Sequence, residues 1–348
     1  MNSIQIKHKI IGTTQPCFVI AEAGVNHNGK LVLAKKLIDV AVAAHADAVK
    51  FQTYRSEGVV TENTEIADYA RSNIGKNMKQ IDMLKKCELS YNDFIVLKEY
   101  CDEKEIIFLS SPHSFDAIDF LQELVPAYKF SSGDLTNIPA LQYAAEKKKP
   151  IILGTGMATL EEVRHAFNAI SSKGNTQIIL LHCTTNYPCS YDDVNLRAMM
   201  TMQHELNCLV GYSDHTLGVI VPPLAVALGA KIIEKHITLD KKLPGPDHKA
   251  SLESQELTEM IRRIRDVERI LGSSEKRPTE SEKTIQHIIR KSIIAAKNIK
   301  KGQVIQKEML IIKRPGIGIS PVDIEKIIGK KSKKDIASDE LIHWDMVE

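Results

Sequence analysis

The chain has 348 residues, 43% hydrophobic and 26% charged, with 46 Lys+Arg against 44 Asp+Glu. That length suits one barrel-sized domain plus a small one, and the balance is that of a soluble globular chain, not a disordered one. A formal net charge of +2 excludes a global attraction to nucleic acid or anionic lipid, while a local basic pocket for an acidic substrate stays open.

No apolar run approaches the ~18 residues of a membrane span, and the opening MNSIQIKHKI lacks the apolar core of a secretory signal. The cysteines at 17, 87, 101, 183, 189 and 208 are scattered without a CxxC pair. This favours buried thiols over disulfides or a thiolate zinc site and predicts a cytoplasmic protein.

Short apolar runs predict strands at 17–23, 48–53, 106–111, 128–132, 150–155, 178–183, 209–214 and 231–237. They are mostly continuous, as in parallel strands covered on both faces. Helical spacing follows: Leu33, Leu37, Val40 and Ala44 after the first strand, and Leu257, Ile261, Ile264, Val267 and Leu271 after the eighth, with Gly272 as a stop. Thr159 reads as an N-cap before Glu161 and Glu162. Eight strand–helix repeats in about 270 residues match a (β/α)8 TIM barrel. An open doubly wound sheet would carry a Gly-rich loop after its first strand, which EAGVNHNG does not supply.

The polar run SSEKRPTESEK at 273–283 reads as a linker, giving a barrel over 1–272, a linker over 273–285 and a small domain over 286–348. That tail is short for a core of its own and is expected to pack against the barrel or a partner subunit. The remaining features take structural readings: Lys147, Lys148 and Lys149 as a solvated helix end, Met199, Met200 and Met202 as helix packing, Asn28-Gly29 as a turn, and His165, His204 and His248 as surface or loop residues.

Barrel chemistry sits at the C-terminal strand ends. There this chain places Glu22, Asn26 and His27; Lys50 and Gln52; Ser110 and Ser111; Lys129, Ser132 and Asp134; Gly154 and Thr155; His182, Thr184 and Tyr187; Ser213, Asp214 and His215; and Glu234 and His236. Lys50 and Lys129 with Ser111 and Ser132 would form a cationic, hydroxyl-lined cup for phosphate and carboxylate oxygens. Each lysine could instead close an ion pair, and a Schiff-base role competes as well. His215 and His236, on consecutive strand ends with Glu22 nearby, suit Mn²⁺, Zn²⁺ or Mg²⁺ as a Lewis acid. His27, His113 and His182 lie near the rim and read as core histidines.

These residues fall in longer segments: AEAGVNHNG (21–29), VKFQT (49–53), YKFSSGDLTN (128–137), GTGMAT (154–159), LLHCTTNYP (180–188), GYSDHTLG (211–218), EKHITLDKKLPGPDH (234–248) and KRPGIGISP (313–321). Over nearly its whole length the chain resembles the sialic acid synthase (N-acetylneuraminate synthase) family, which joins phosphoenolpyruvate to an N-acetylated amino sugar. The resemblance implies a C-terminal antifreeze-like (SAF) domain and a domain-swapped homodimer. It implies that Lys50, Ser111, Lys129, Ser132 and the position of Gly154 hold phosphoenolpyruvate. Glu22, Gln52, Lys50 and Lys129 would be the catalytic set. His215 and His236 would hold the metal, Mn²⁺ first, with Mg²⁺ or Co²⁺ as substitutes. Glu22, Tyr187, Asp247 and, from the partner's C-terminal domain, Arg314 would surround the sugar.

The chain departs from the family pattern at Gly154 (commonly serine), Ser111 (threonine), His113 (phenylalanine) and Asp134 (glutamate in some members). The implied reaction is an aldol-like condensation with C–O cleavage, giving a nine-carbon 2-keto acid and phosphate. The alternatives are a legionaminic or pseudaminic acid synthase using a 2,4-diacetamido-trideoxyhexose, a seven- or eight-carbon keto-acid synthase, and a non-catalytic sugar-binding homologue.

Overall fold

Eight parallel strands, β3 to β10, carry the larger part of the molecule: Phe18–Gly24, Ala48–Thr53, Ile107–Pro112, Tyr128–Phe130, Ile151–Gly154, Ile178–His182, Leu209–Asp214 and Ile232–His236. They follow β1 (Ile4–Ile6) and β2 (Lys9–Ile11), a short antiparallel hairpin. The hydrogen-bonded order is β5-β4-β3-β10-β9-β8-β7-β6, and the two ends, β5 and β6, lie side by side. This is the expected (β/α)8 barrel, with strand bounds within one or two residues of those read from the sequence. The computed structural model describes residues 3–66, 71 and 78–348, in two units, Met1–Gly272 and Ser273–Glu348.

Alternation along each strand divides the core in two. Outward residues such as Val19, Val49, Phe51, Val210 and Ile233 meet the surrounding helices in one continuous cluster. Inward residues at the strand beginnings, including Phe18, Ile20, Leu109, Leu209 and Ile232, pack with Ile4, Ile6 and Ile11 of the hairpin. The hairpin therefore closes the N-terminal mouth with side chains, leaving polar inward positions only toward the C-terminal ends. Space inside the apolar layer is tight: a Cβ on Gly211 would overlap the Ile232 carbonyl oxygen, so only glycine lets β9 and β10 approach so closely.

The helices form where periodicity placed them. Leu31–Ala43 buries Ala34, Leu37, Ile38 and Ala41. Leu160–Ser172 opens on a reciprocal Thr159/Glu162 capping box. Ser254–Leu271 ends at Gly272, φ +52°, although Leu271 is exposed rather than part of the buried stripe. Asn28 and Gly29 both take positive φ, as a turn requires. All six cysteines are free and buried. No helix among the described residues is long and apolar enough to cross a membrane.

Four readings are corrected. His248 is not a surface residue: it is fully buried, with Nδ1 2.7 Å from Thr238 Oγ1, because residues after β10 fold back over the barrel. The three lysines at 147–149 are not uniformly solvated, since Lys147 pairs with Asp119 at 2.5 Å and Lys149 caps the carbonyls of Gln122 and Val125. Met199 and Met202 pack as expected, but Met200 is exposed. The C-terminal unit does have its own core: Ile293, Ile299, Ile305, Ile319, Ile336 and Ile342 cluster with Met309 and Met346. There β11 (Ser292–Ala295) pairs antiparallel with β12 (Leu310–Lys313). Within the stretch read as linker a helix begins, Glu280–Ile289, capped by Thr279 and burying none of its residues.

Candidate active site

The strands bring the predicted residues to one place. Because Val49 and Phe51 face the helices, Lys50 and Gln52 of β4 face the barrel interior. The same alternation turns Ser213 and His215 inward at the end of β9, and Glu234 and His236 inward on β10. Glu22, Lys50, Gln52, Ser111, Lys129, Ser132, Gly154, Tyr187, His215 and His236 all line a single narrow cavity of about 60 Å³. Asp247 approaches it through His236, with Oδ2 3.8 Å from Nδ1. Arg314 belongs to the second unit, where it is exposed.

Cys183, Ser213 and Glu234 line the same cavity; the sequence placed Ser213 and Glu234 at the strand ends without giving either a role, and did not single out Cys183 there. For two of them the signal was present: Ser213 and Glu234 each stand two residues before a site histidine, hence on the same strand face.

The cationic cup is not open. Lys50 Nζ lies 2.8 Å from Glu22 Oε2 and 3.8 Å from Glu234 Oε2, and donates to Ser111 Oγ at 3.1 Å. Lys129 Nζ lies 3.3 Å from Glu234 Oε1 and donates to the Phe130 carbonyl at 3.1 Å. The ion-pair reading of these lysines therefore holds in the free protein, since a buried ammonium without a counter-charge is too costly. Two ammonium groups and two carboxylates share the cavity.

Their environments pull the two carboxylates apart. Burial raises Glu22 to about 7: the Lys50 ammonium pulls it back by more than the repulsion of Glu234 adds, but desolvation keeps it high. Burial also opposes ionisation of Glu234, but Lys129 and Lys50 together outweigh it and hold its pKa low. Such separation is what a site needs to keep one carboxylate protonatable beside a permanent anion. Glu22 was expected near the two histidines as a carboxylate. It shares their cavity, with its Oε2 on Lys50 and its Oε1 accepting from Gln52 Nε2 at 3.2 Å.

Opposite the lysines, the His215 and His236 rings stand 5.7 Å apart, centroid to centroid. Tyr187 covers both, 4.0 Å from His215 and edge-on 5.4 Å from His236. His215 commits Nδ1 to the Thr184 carbonyl at 2.6 Å, leaving Nε2 toward Ser213 Oγ at 3.4 Å. His236 Nδ1 is buried without a hydrogen-bond partner. Burial keeps both imidazoles neutral, His215 at about 4 and His236 well below its ordinary value. Neutral, oriented imidazoles with an orphaned ring nitrogen fit a divalent cation. Among the described residues, no third His, Cys, Asp or Glu completes the set.

The phosphate side continues through Ser132, whose Oγ accepts from the Gly156 amide at 2.9 Å and lies 3.0 Å from Cys183 Sγ. At Gly154 an added Cβ would come 3.0 Å from Ser132 Oγ and 3.1 Å from Ser132 N. His113 sits beside the cup, 3.6 Å from Asp134 Oδ2. The other rim histidines turn elsewhere: His27 takes the Gly29 amide on Nδ1. His182 points out of the barrel, with Nε2 on the Val194 carbonyl. There it lines a groove of about 880 Å³ that includes Arg197, Ile220 and Leu224 and contains neither lysine.

Residues 37–276 match the NeuB family, and residues 290–348 match the SAF domain. The chain belongs to the NeuB family. It is 46% identical to an N,N'-diacetyllegionaminic acid synthase of Legionella pneumophila, over 97% of this chain and 96% of the relative. A protein of the same name from Campylobacter jejuni is 43% identical, over 93% of this chain and 98% of the relative. Among solved structures, an N-acetylneuraminic acid (sialic acid) synthetase from Leptospira borgpetersenii in complex with citrate superposes with a TM-score of 0.72. It is 36% identical and covers 81% of this chain and 94% of that one. The resemblance read from the motifs, and the barrel with its SAF domain, are borne out. In this NeuB-family chain the matching segments contribute the lysines, hydroxyls and imidazoles that face one cavity.

Proposed function

We propose that this chain condenses phosphoenolpyruvate with the open-chain aldehyde of an N-acetylated amino sugar to give a nonulosonic acid. The observation that supports the reading is the convergence of Lys50, Lys129, His215 and His236 on one buried cavity at the strand ends. The reaction balances as phosphoenolpyruvate plus aldehyde plus water giving a nine-carbon 2-keto acid plus phosphate. C3 attacks the aldehyde carbon, water adds at C2, and the C2–O bond to phosphate breaks.

Lys50 and Lys129, with Ser111, Ser132 and the backbone at Gly154, hold the phosphoryl and carboxylate oxygens and offset the charge that gathers on departing phosphate. Glu22, protonatable near neutrality and held by Gln52, exchanges a proton with the water that adds at C2. Tyr187 and Asp247 flank the acceptor side. A divalent cation on His215 and His236, Mn²⁺ first and Mg²⁺ or Co²⁺ as substitutes, would supply Lewis-acid polarisation of the aldehyde. The domain-swapped homodimer belongs to this proposal: Arg314 of one copy's SAF domain (286–348, after a 273–285 linker) would contact the sugar in the barrel (1–272) of the other.

For the acceptor, the 46% and 43% identities to N,N'-diacetyllegionaminic acid synthases favour a 2,4-diacetamido-trideoxyhexose. N-acetylmannosamine is the second reading, supported by the 36% identical N-acetylneuraminic acid synthetase. Phosphate release with each sugar, and with arabinose 5-phosphate as control, separates them when run in chelator and then with each metal. Label at the bridging oxygen of phosphoenolpyruvate should appear in phosphate; its retention in the sugar acid would rule out C–O cleavage. Borohydride trapping of pyruvate on Lys129 would point to a Schiff-base aldolase. Absence of phosphate release with every acceptor would leave a sugar-binding homologue.

A further inference from the structure

Behind the two imidazoles, on the side of β9 and β10 that faces the helices, lies a second pair of charges outside the proposed cavity. Asp214 and Lys235 have no exposed side-chain surface, and Lys235 Nζ lies 2.6 Å from Asp214 Oδ2. Each immediately neighbours a site histidine in sequence, Asp214 before His215 and Lys235 before His236. The parallel ladder also places the two opposite each other.

The pair encloses one residue. Asp214 Oδ1 accepts from the Thr216 amide at 3.0 Å and Oδ2 from Thr216 Oγ1 at 3.1 Å, while Lys235 donates to the Thr216 carbonyl. Tyr212 Oη adds a fourth donor to the carboxylate at 3.2 Å. His215 is thereby held between two anchored neighbours, and its own carbonyl accepts from the Cys189 amide at 2.8 Å. The lysine that grips Thr216 is also the residue immediately before His236 on β10. A fully buried ion pair is a poor way to gain stability, because desolvation consumes most of its attraction. What this one does add is a stiff link between two backbones whose next side chains are the imidazoles.

We propose that Asp214 and Lys235 are positioning residues that set the separation and aim of His215 and His236, acting on cation binding without touching the cation. The inference rests on the reading of the two imidazoles as a divalent-cation site. Asp214→Asn/Lys235→Met removes both charges together and leaves an acceptor for the Thr216 amide, so the barrel is expected to fold. Thr216→Val deletes only the 3.1 Å hydrogen bond and carries the test if the double variant does not fold.

The measurement is Co²⁺ binding to the full, chelator-stripped chain, followed by calorimetry and by the visible d–d band. Positioning predicts Co²⁺ binding at least about tenfold weaker in the folded double variant, with a changed band, and a smaller weakening in Thr216→Val. A purely structural pair would lower the melting temperature and leave Co²⁺ affinity and spectrum unchanged; that result overturns the inference. His215→Ala/His236→Ala is the reference: if it binds Co²⁺ like the parent, the two-imidazole reading itself fails and the inference falls with it. If it loses Co²⁺ while the charge-pair and Thr216 variants keep it, only the positioning role is wrong.

Discussion

Glu22 Oε2 stands 2.8 Å from the Lys50 ammonium inside the barrel, because the ladder sets the two residues side by side on β3 and β4. An arriving anion must compete with that carboxylate for the lysine. With Glu22 raised to about 7 by burial, it is neutral below that pH and releases Lys50; above it, it is charged and competes. Sulfate, which does not titrate here, is expected to bind progressively more weakly as pH rises through about 7. Calorimetry across that range should show this, and Glu22→Gln should flatten the dependence. A wild-type affinity independent of pH would contradict it.

Lys129 is the nearest cation to Glu234, at 3.3 Å. Lys129→Met leaves that carboxylate buried with only the 3.8 Å approach of Lys50, and should cost about 3 kcal/mol in urea unfolding. Adding Glu234→Gln should recover most of this. Phosphate release should stay at least about 100-fold down in both variants, separating the stability of the pair from its use in the reaction.

His27 and His248 are buried and held at about 4, chiefly by desolvation. Unfolded histidine titrates near 6.5, so between those values the unfolded chain binds protons that the folded one refuses. Their contribution is fully present above pH ~6.5 and declines as pH falls toward about 4. Glu22 and Asp247, raised to about 7 and about 6, act in the opposite sense, so the diagnostic is a change of slope. His248→Gln should make the stability of the chelator-treated protein fall less steeply on acidification than in the parent. An unchanged slope would show that His248 does not titrate on unfolding.

Gly154→Ser supplies the hydroxyl common at this position in the family, but its Cβ would meet Ser132 Oγ and N at 3.0 and 3.1 Å. One contact is a rotatable hydroxyl and the other is backbone. The substitution is expected to cost about 1 kcal/mol in denaturant midpoint. It should also disturb the bond from the Gly156 amide to Ser132, raising KM for phosphoenolpyruvate with little change in kcat. A neutral or stabilising result would show that the β6–β7 edge relaxes to admit serine.

The barrel was legible because each strand is a short apolar run buried on both faces, as in Ile151–Gly154 and Ile178–His182. Helix signals were equally local: the Thr159 cap and the Gly272 stop act through neighbouring backbone. The hairpin before the barrel and the core of the second unit were missed. Three-residue strands have too little periodicity to register, and the isoleucines of the second core are spread over 293–342.

Residue types and their strand faces were enough to nominate the lysines, hydroxyls and histidines of the site, since alternation decides from two positions which side chains share a face. Partnership was not. That Glu22 would hold Lys50, that Glu234 would sit between both lysines, and that Asp214 and Lys235 would close behind the histidines depends on register between strands distant in sequence, and on the cost of burying a charge alone. Sequence by itself determined what chemistry the strand ends could offer. Only the tertiary structure decided which charges neutralise each other there, because a buried ion settles on whichever counter-ion the packed strands bring within a few ångströms.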